Sequence, residues 1–298
     1  MKYTNQAGLP APLVAAITYS DYDGESYDIT ASGLVTPPRI RQLMKRHSKE
    51  ITEDVSDRIW ALIGSVGHAI LERAPADNVF REERLVAEMQ GWRIGGKVDL
   101  LRMAGDQYGI DDYKLTSTWA TKDEKPEWTF QLNVYAWLAR QHGFNITQLR
   151  IVNILRDWSK LRAAREREKD YPQVGVVIRE VPLWPADICE RNIKAAVTLH
   201  QLAEAEPDDD QLPMCTTGER WTKPEVWAVK KKGNKRALRL FASAEEARSF
   251  DGDGMARGVY ELEHRPGVDV RCVSYCPCKP FCSYGKTLTS DGEDEVVQ

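Results

Sequence analysis

The stretch GGKVDLLRMAGDQYGIDDYK, Gly95 to Lys114, decides how the rest of the chain is read. An alternating apolar run leads to Asp99, a turn carries Gly105 and Asp106, and a second run ends in Asp111, Asp112, Tyr113 and Lys114. That is the pattern of two strands joined by a hairpin. Side chains alternate along a strand, so Asp112 and Lys114 leave the sheet on one face while Asp111 and Tyr113 point away. Asp99 can join the first pair. Two carboxylates and a lysine at one sheet edge can hold a divalent cation and position a water for attack on a phosphodiester. A lone D-x-K triplet is more commonly a surface ion pair, so the surroundings carry the argument.

Working outward, the residues before the hairpin predict a helix over Ser56 to Arg73, with Ile59, Leu62, Ile63, Val66, Ile70 and Leu71 at helical spacing and His68 on it, then a strand at Val79 to Met89. The hairpin strands span Trp92 to Met103 and Tyr108 to Leu115. After them come an amphipathic helix over Glu127 to Gln141 with Phe130, Val134, Trp137 and Leu138 on one side, strands at Leu149 to Leu155 and Val174 to Val181, and a helix from Pro185 to Ala205. Short strands are expected around Leu13 to Tyr19. Thr36-Pro37-Pro38 offers a helix start with Thr36 as cap. The order of elements predicts an α/β sandwich on one mixed sheet. Residues 1–206 form the core, 207–285 a cysteine-rich segment opened by a linker at Pro207 to Gln211, and 286–298 a disordered tail.

Composition narrows the setting. The 298 residues suffice for a sizeable core, and no apolar run approaches a membrane span. The start, MKYTNQAGLP, lacks the features of a signal peptide, so a cytoplasmic setting is expected. In a reducing compartment, six Cys with four packed into Cys272 to Cys282 read as metal ligands more naturally than as disulfides. The net charge of −4 gives no overall attraction for nucleic acid, yet basic residues cluster at Arg39 to Lys49, Arg156 to Lys169 and Lys230 to Arg239. Singly, each is the pattern of a solvated face.

Taken in order, GxxxH (Gly64 to His68), GKVD (Gly96 to Asp99), DYK (Asp112 to Lys114) and QLNVY (Gln131 to Tyr135) resemble the RecB-like branch of the PD-(D/E)xK nuclease superfamily. That branch includes nuclease domains of helicase-nucleases, the CRISPR adaptation nucleases and many phage exonucleases. The resemblance implies a restriction-endonuclease-like core. It implies that His68, Asp99, Asp112 and the carbonyl of Tyr113 hold Mg²⁺ or Mn²⁺, the imidazole suiting Mn²⁺. Lys114 would orient the attacking water and neutralise charge on the phosphate, with Gln131 and Tyr135 lining the site on the scissile strand. An additional acid comes from Glu82 or Glu83, between which the sequence does not choose.

The end of the chain resembles the iron-sulfur nucleases of this branch, such as the AddB type. Cys272, Cys276 and Cys282 with the distant Cys215 match the one-plus-three arrangement that holds a [4Fe-4S] cluster in a structural role. Cys278 is a fifth thiol in that loop and keeps open a local zinc site made of Cys272, Cys276, Cys278 and Cys282. Cys189, on a helix, reads as an ordinary buried thiol. The TTGERW run from Thr216 and the RCVSYC end are similar to phage-encoded nucleases.

These implications lead to a metal-dependent DNA exonuclease working on free ends in replication, recombination or repair, in a bacterial or phage-infected cytoplasm, with a recombination or replication protein as a further partner. Trp92, Trp119, Trp128 and Tyr135 are candidates for stacking on bases. Two other readings are a zinc-stabilised structure-specific endonuclease and a non-catalytic DNA-binding module. No helix-turn-helix accompanies the core, which argues against strong sequence specificity.

Overall fold

The computed structural model describes residues 1–19, 27–165 and 171–288, without the side chains of Glu82 and Asp253. The chain divides into two compact units, one made of Met1–Arg41 and Ser48–Glu206, the other of Gln42–His47 and Pro207–Gln298. Among the described residues no helix is long and apolar enough to cross a membrane.

In chain order the elements up to residue 206 are β1 (Lys2–Thr4), α1 (Ala11–Thr18), β2 (Ile29–Thr30), α2 (Ala31–Val35), α3 (Pro38–Arg46), β3 (Thr52–Asp54), α4 (Ile59–Arg73), β4 (Val79–Met89), β5 (Trp92–Ala104), β6 (Gln107–Thr116), α5 (Pro126–Gln141), β7 (Ile146–Leu155), α6 (Lys160–Arg165), β8 (Val176–Val181) and α7 (Ala186–Ala205). The main sheet runs β2-β5-β6-β7-β8, with β4 also paired to β5. It is mixed, as expected: β6 is antiparallel to β5 and parallel to β7, which is antiparallel to β8.

The long strand β5 positions everything else. On one side it pairs with β4, from Met89↔Trp92 to Val79↔Arg102. On the other it pairs first with β2, at Ile94 and Gly95, and then with β6 from Leu100↔Asp111 onward. The ladder with β6 thus ends next to Asp99, and a fork opens there. Helix α5 lies against β4 to β7, with α7 beyond it. Ile94, Val98 and Leu101 of β5, Ile110 of β6 and Ile151 of β7 pack with Leu132, Val134 and Leu138 in one core.

Several expectations give way to tertiary context. The segment expected as short strands is helix α1, in which Pro12 sits in the first turn and the run of Ala tolerates helical backbone. Thr36 does not open α3; its hydroxyl donates to the Ser32 carbonyl and ends α2. Helix α5 has no amphipathic divide in its middle, because every residue from Leu132 to Ala139 is buried. The polar Asn133 inside that run donates to the carbonyls of Thr129 and Pro182 and accepts from the Trp184 N–H. Conversely, α4 has no fully buried residue: Ile63, Val66 and Ile70 of its expected core face are exposed.

The second unit has α8 (Thr217–Arg220), β9 (Thr222–Lys223), β10 (Val226–Lys231), β11 (Ala237–Phe241), α9 (Ala244–Arg248), α10 (Gly252–Ala256), β12 (Tyr260–Arg265), β13 (Val268–Asp269) and α11 (Ser283–Thr287). Strands β11-β10-β12 form an antiparallel sheet, and β9 pairs with β13. A capping box between Thr216 and Glu219 starts α8. Asp269 gathers Thr222, Tyr284 and Arg220, the last at 3.1 Å. Lys286 and Thr287, expected in the disordered tail, are helical; the tail from residue 289 and part of the basic run, 166–170, lie outside the described residues.

Candidate active site

Asp99 sits at the fork, where the N–H of Tyr113 finds no strand partner on β5 and donates instead to the Asp99 Oδ2 at 2.8 Å. The other carboxyl oxygen of Asp99 lies 3.4 Å from His68 Nδ1. Two residues along β6, as strand alternation requires, Asp112 and Lys114 meet with Nζ 2.6 Å from Oδ2. Lys114 Nζ is also 3.4 Å from the Gln131 side-chain oxygen, and Gln131 Nε2 donates to the Tyr135 hydroxyl at 2.9 Å. The six side chains expected at the site thus make two contacting groups, His68 with Asp99, and Asp112 with Lys114, Gln131 and Tyr135. From Tyr113, what reaches Asp99 is the N–H.

Asp112 is 3% exposed, and its Oδ2 takes no conventional hydrogen bond among the described residues; the Lys114 ammonium is what meets it. Burial pushes its carboxyl up to about 6, Lys114 opposes that, the Asp99 charge adds to it and His68 lowers it. The carboxyl thus sits in one field with Asp99, His68 and Lys114. By their chemistry, two carboxylates and an imidazole on neighbouring elements are a donor set that fits Mg²⁺ or Mn²⁺. Among the described residues no three His, Cys, Asp or Glu side chains close on a common point. Asp112 is turned to Lys114, and Asp99 to Tyr113 and His68.

Close approach of two helices builds the centre. A Cβ at Gly67 would come 2.7 Å from Leu115 Cδ2, so a side chain there would have to push Leu115 aside where α4 meets β6, next to His68, which lies beside Asp99. Gly64, the first residue of GxxxH, faces open space. Likewise a Cβ at Gly96 would meet Leu138 at 2.7 Å and Tyr135 at 2.9 Å, so the GKVD glycine lets α5 settle on β5.

A family model described as the PD-(D/E)XK nuclease superfamily matches residues 35–283. The chain belongs to this superfamily. Solved structures similar to it include that of SSO0001, at 15% identity over 63% of this chain and 82% of that one with a TM-score of 0.42. Another is an alkaline exonuclease from Laribacter hongkongensis, at 16% identity over 59% and 89% with a TM-score of 0.36. No curated protein matches the chain.

In this nuclease-superfamily member Asp111 faces away from the centre, as expected, and binds Arg102 at 2.8 Å and Arg150 at 2.5 Å. Glu83 pairs with Val98, next to Asp99 in the register, and the Glu82 side chain lies outside the described residues. Of the aromatic candidates, Trp128 packs against the core, Trp92 packs there too with Arg41 over its ring at 5.3 Å, and Trp119 is exposed. Some residues of the basic clusters are engaged by acids. Arg41 binds Glu204, Arg46 and His47 bind Asp209, and Lys230 binds Glu261 and Glu263.

Sequence reading missed a cavity of about 290 Å³ that has Tyr27, Thr30, Ser32, Arg84, Lys97 and Tyr135 in its lining. Arg84 and Lys97 face each other across the β4–β5 ladder. The clue available was Lys97 inside GKVD, one residue from the glycine that seats Tyr135.

In the second unit none of the cysteines forms a disulfide among the described residues. Burial pushes Cys215 up to about 12, with Glu219, Cys272, Cys276 and Cys282 adding to it. Burial, with Cys276 next, takes Cys272 up to about 11. Cys278 is fully buried and hydrogen-bonded to Cys276, whose thiol that contact draws down to about 6. Cys276, Cys282 and Cys215 act on Cys278 as well, so five thiols influence one another. Cys189 is the buried thiol expected, its Sγ 3.2 Å from the Asn133 carbonyl.

If Gly67 is what seats α4, Gly67→Leu should lower nuclease turnover by about tenfold or more through displacement of His68, while Gly64→Leu stays within about twofold. Steady-state cleavage rates of the two variants check this.

Proposed function

We propose that the chain is a Mg²⁺- or Mn²⁺-dependent DNA exonuclease of the RecB-like branch, acting on free ends during replication, recombination or repair in a bacterial or phage-infected cytoplasm. The observation that carries this reading is the Lys114 ammonium held between the Asp112 carboxyl and Gln131, beside the Asp99–His68 pair. Family membership supports nuclease chemistry. Asp99, Asp112 and His68 are the residues to hold the divalent ion. Such an ion, when bound, polarises the phosphate and makes a nearby water more acidic.

The protein's own groups do the rest. Lys114 orients the attacking water by hydrogen bonding and balances the charge that builds on the phosphate oxygens. Gln131 keeps the ammonium aimed, and Tyr135 fixes the amide of Gln131. The Tyr113 N–H stops Asp99 from rotating away. Because the ammonium and Asp112 lie on one strand, their spacing does not depend on loop motion.

For the second unit the proposal is a structural [4Fe-4S] cluster on Cys215, Cys272, Cys276 and Cys282. The one-plus-three spacing of these thiols in the sequence is its basis, and the buried Cys278 bonded to Cys276 keeps the zinc alternative testable. A protein partner in recombination or replication belongs to the same proposal.

Asp99→Asn and Lys114→Gln should each reduce metal-dependent loss of end-labelled linear DNA to about a hundredth or less, with unchanged circular dichroism, while circular DNA survives the wild-type protein. Full activity in either variant contradicts the site, and cleavage of circles contradicts the need for ends. Protein purified without oxygen should be brown and carry iron, with Cys215→Ala losing it; a colourless protein with stoichiometric zinc decides for the alternative.

A further inference from the structure

Trp60 and Trp119 are 54% and 67% exposed. Each ring carries a cation over one face, the Arg156 guanidinium 3.8 Å from the Trp60 centroid and the Lys122 ammonium 4.4 Å from that of Trp119. The cation holds each ring in place by an attractive contact while more than half of the side chain stays exposed to water.

Both rings are fixed to the same point of the fold. Arg156 and Asp157 are consecutive residues just past β7. The Arg156 N–H donates to the Thr116 carbonyl at the end of β6 at 2.9 Å, and its side chain lies on Trp60. The Asp157 carboxylate accepts from the Thr118 N–H at 2.6 Å and from the Thr118 hydroxyl at 3.1 Å, one residue before Trp119. Arg179 of β8 then clasps the carbonyls of Thr121 and Asp123, so the turn bearing Trp119 is held from both sides. This is a braced turn that presents an exposed aromatic ring.

The location is as telling as the bracing. Thr116 is two residues beyond Lys114 on β6, and Trp60 is on the helix that carries His68, about two turns earlier. Arg156 also opens one of the basic runs of the sequence.

Building on the nuclease reading, we propose that Trp60 and Trp119, with Arg156 and Lys122, form a stacking platform for unpaired bases of the DNA strand that passes Lys114. The ligand class is single-stranded DNA, including the frayed end of a duplex. Indole faces accept any base, and the two cations offset the phosphates between stacked nucleotides. A closed duplex keeps its bases stacked on one another and offers the platform only its backbone. An apolar protein surface, the other occupant that the exposed Ile63 and Val66 would suit, would have to strip water from Arg156 and Lys122.

The test measures binding without cleavage. In EDTA, the affinity of a labelled oligothymidylate and of a blunt hairpin duplex is read by anisotropy for the wild type, for the double variant Trp60→Ala with Trp119→Ala, and for the corresponding pair of Trp→Phe changes. The platform predicts about a tenfold or greater loss of oligothymidylate affinity in the alanine variant, largely restored by Phe, with duplex affinity within about twofold. Equal oligothymidylate affinity in the alanine variant and the wild type overturns it, as does an equal loss for both DNA forms. A change in self-association with DNA affinity intact also overturns it, and makes the surface an interface between copies. In parallel, Mn²⁺-dependent hydrolysis of p-nitrophenyl thymidine phosphate, too small to reach the platform, reads the chemical centre alone. Wild-type protein inert on this ester and on DNA sinks the nuclease reading, an outcome distinct from failure of the platform.

Discussion

A carboxylate removed from water requires a positive charge nearby, and for Asp112 the fold supplies Lys114 two residues along the same strand. Leaving such a group buried without its partner typically costs about 3–5 kcal/mol, against about 1 kcal/mol or less for an exposed pair. The spacing is set by strand geometry alone, so the pair is in place as soon as β6 is. Gln131 meets this pair through Lys114, and His68 and the Tyr113 N–H meet the Asp99 that stands beside it across the fork.

The fork itself follows from strand pairing. Because β5 changes partner from β2 to β6 along one edge, the backbone between Gly95 and Leu100 is released from the ladder on that side. The carboxylate of Asp99 takes the place of a backbone acceptor for Tyr113. Two glycines then bring helices in from the flanks, Gly67 carrying His68 and Gly96 admitting Tyr135. A sheet that would otherwise be a uniform ladder thereby acquires one polar, oxygen-rich opening, with a donor chain of Lys114, Gln131 and Tyr135 at its wall.

What the sequence revealed, and what it hid, follows from the range of the forces involved. The hairpin strands were legible because alternation over ten or more residues is a local pattern. The opposite faces of Asp111 and Asp112 came from the same alternation, and Asp111 does turn to Arg102 and Arg150. Helical spacing in α4 was legible too, but spacing states which residues share a face and not what covers them. Ile63, Val66 and Ile70 were therefore read as core, although they lie exposed. The all-round burial of α5 was hidden for the converse reason, since Asn133 looks polar until Thr129, Pro182 and Trp184 are seen to satisfy it. Short α1 was misread because a brief apolar run fits strand and helix alike. The brace between Asp157 and Thr118 joins residues 39 positions apart, beyond any local pattern.

The central claim is that Asp99, Asp112 and His68 are arranged to receive one divalent cation beside Lys114. Crystals soaked in Mn²⁺ and measured at the manganese absorption edge test it most directly. The account predicts an anomalous peak within coordination distance of both carboxylates and the imidazole, and its loss in crystals of Asp112→Asn. A peak elsewhere in the chain, or none at a Mn²⁺ concentration that supports DNA cleavage, would contradict it.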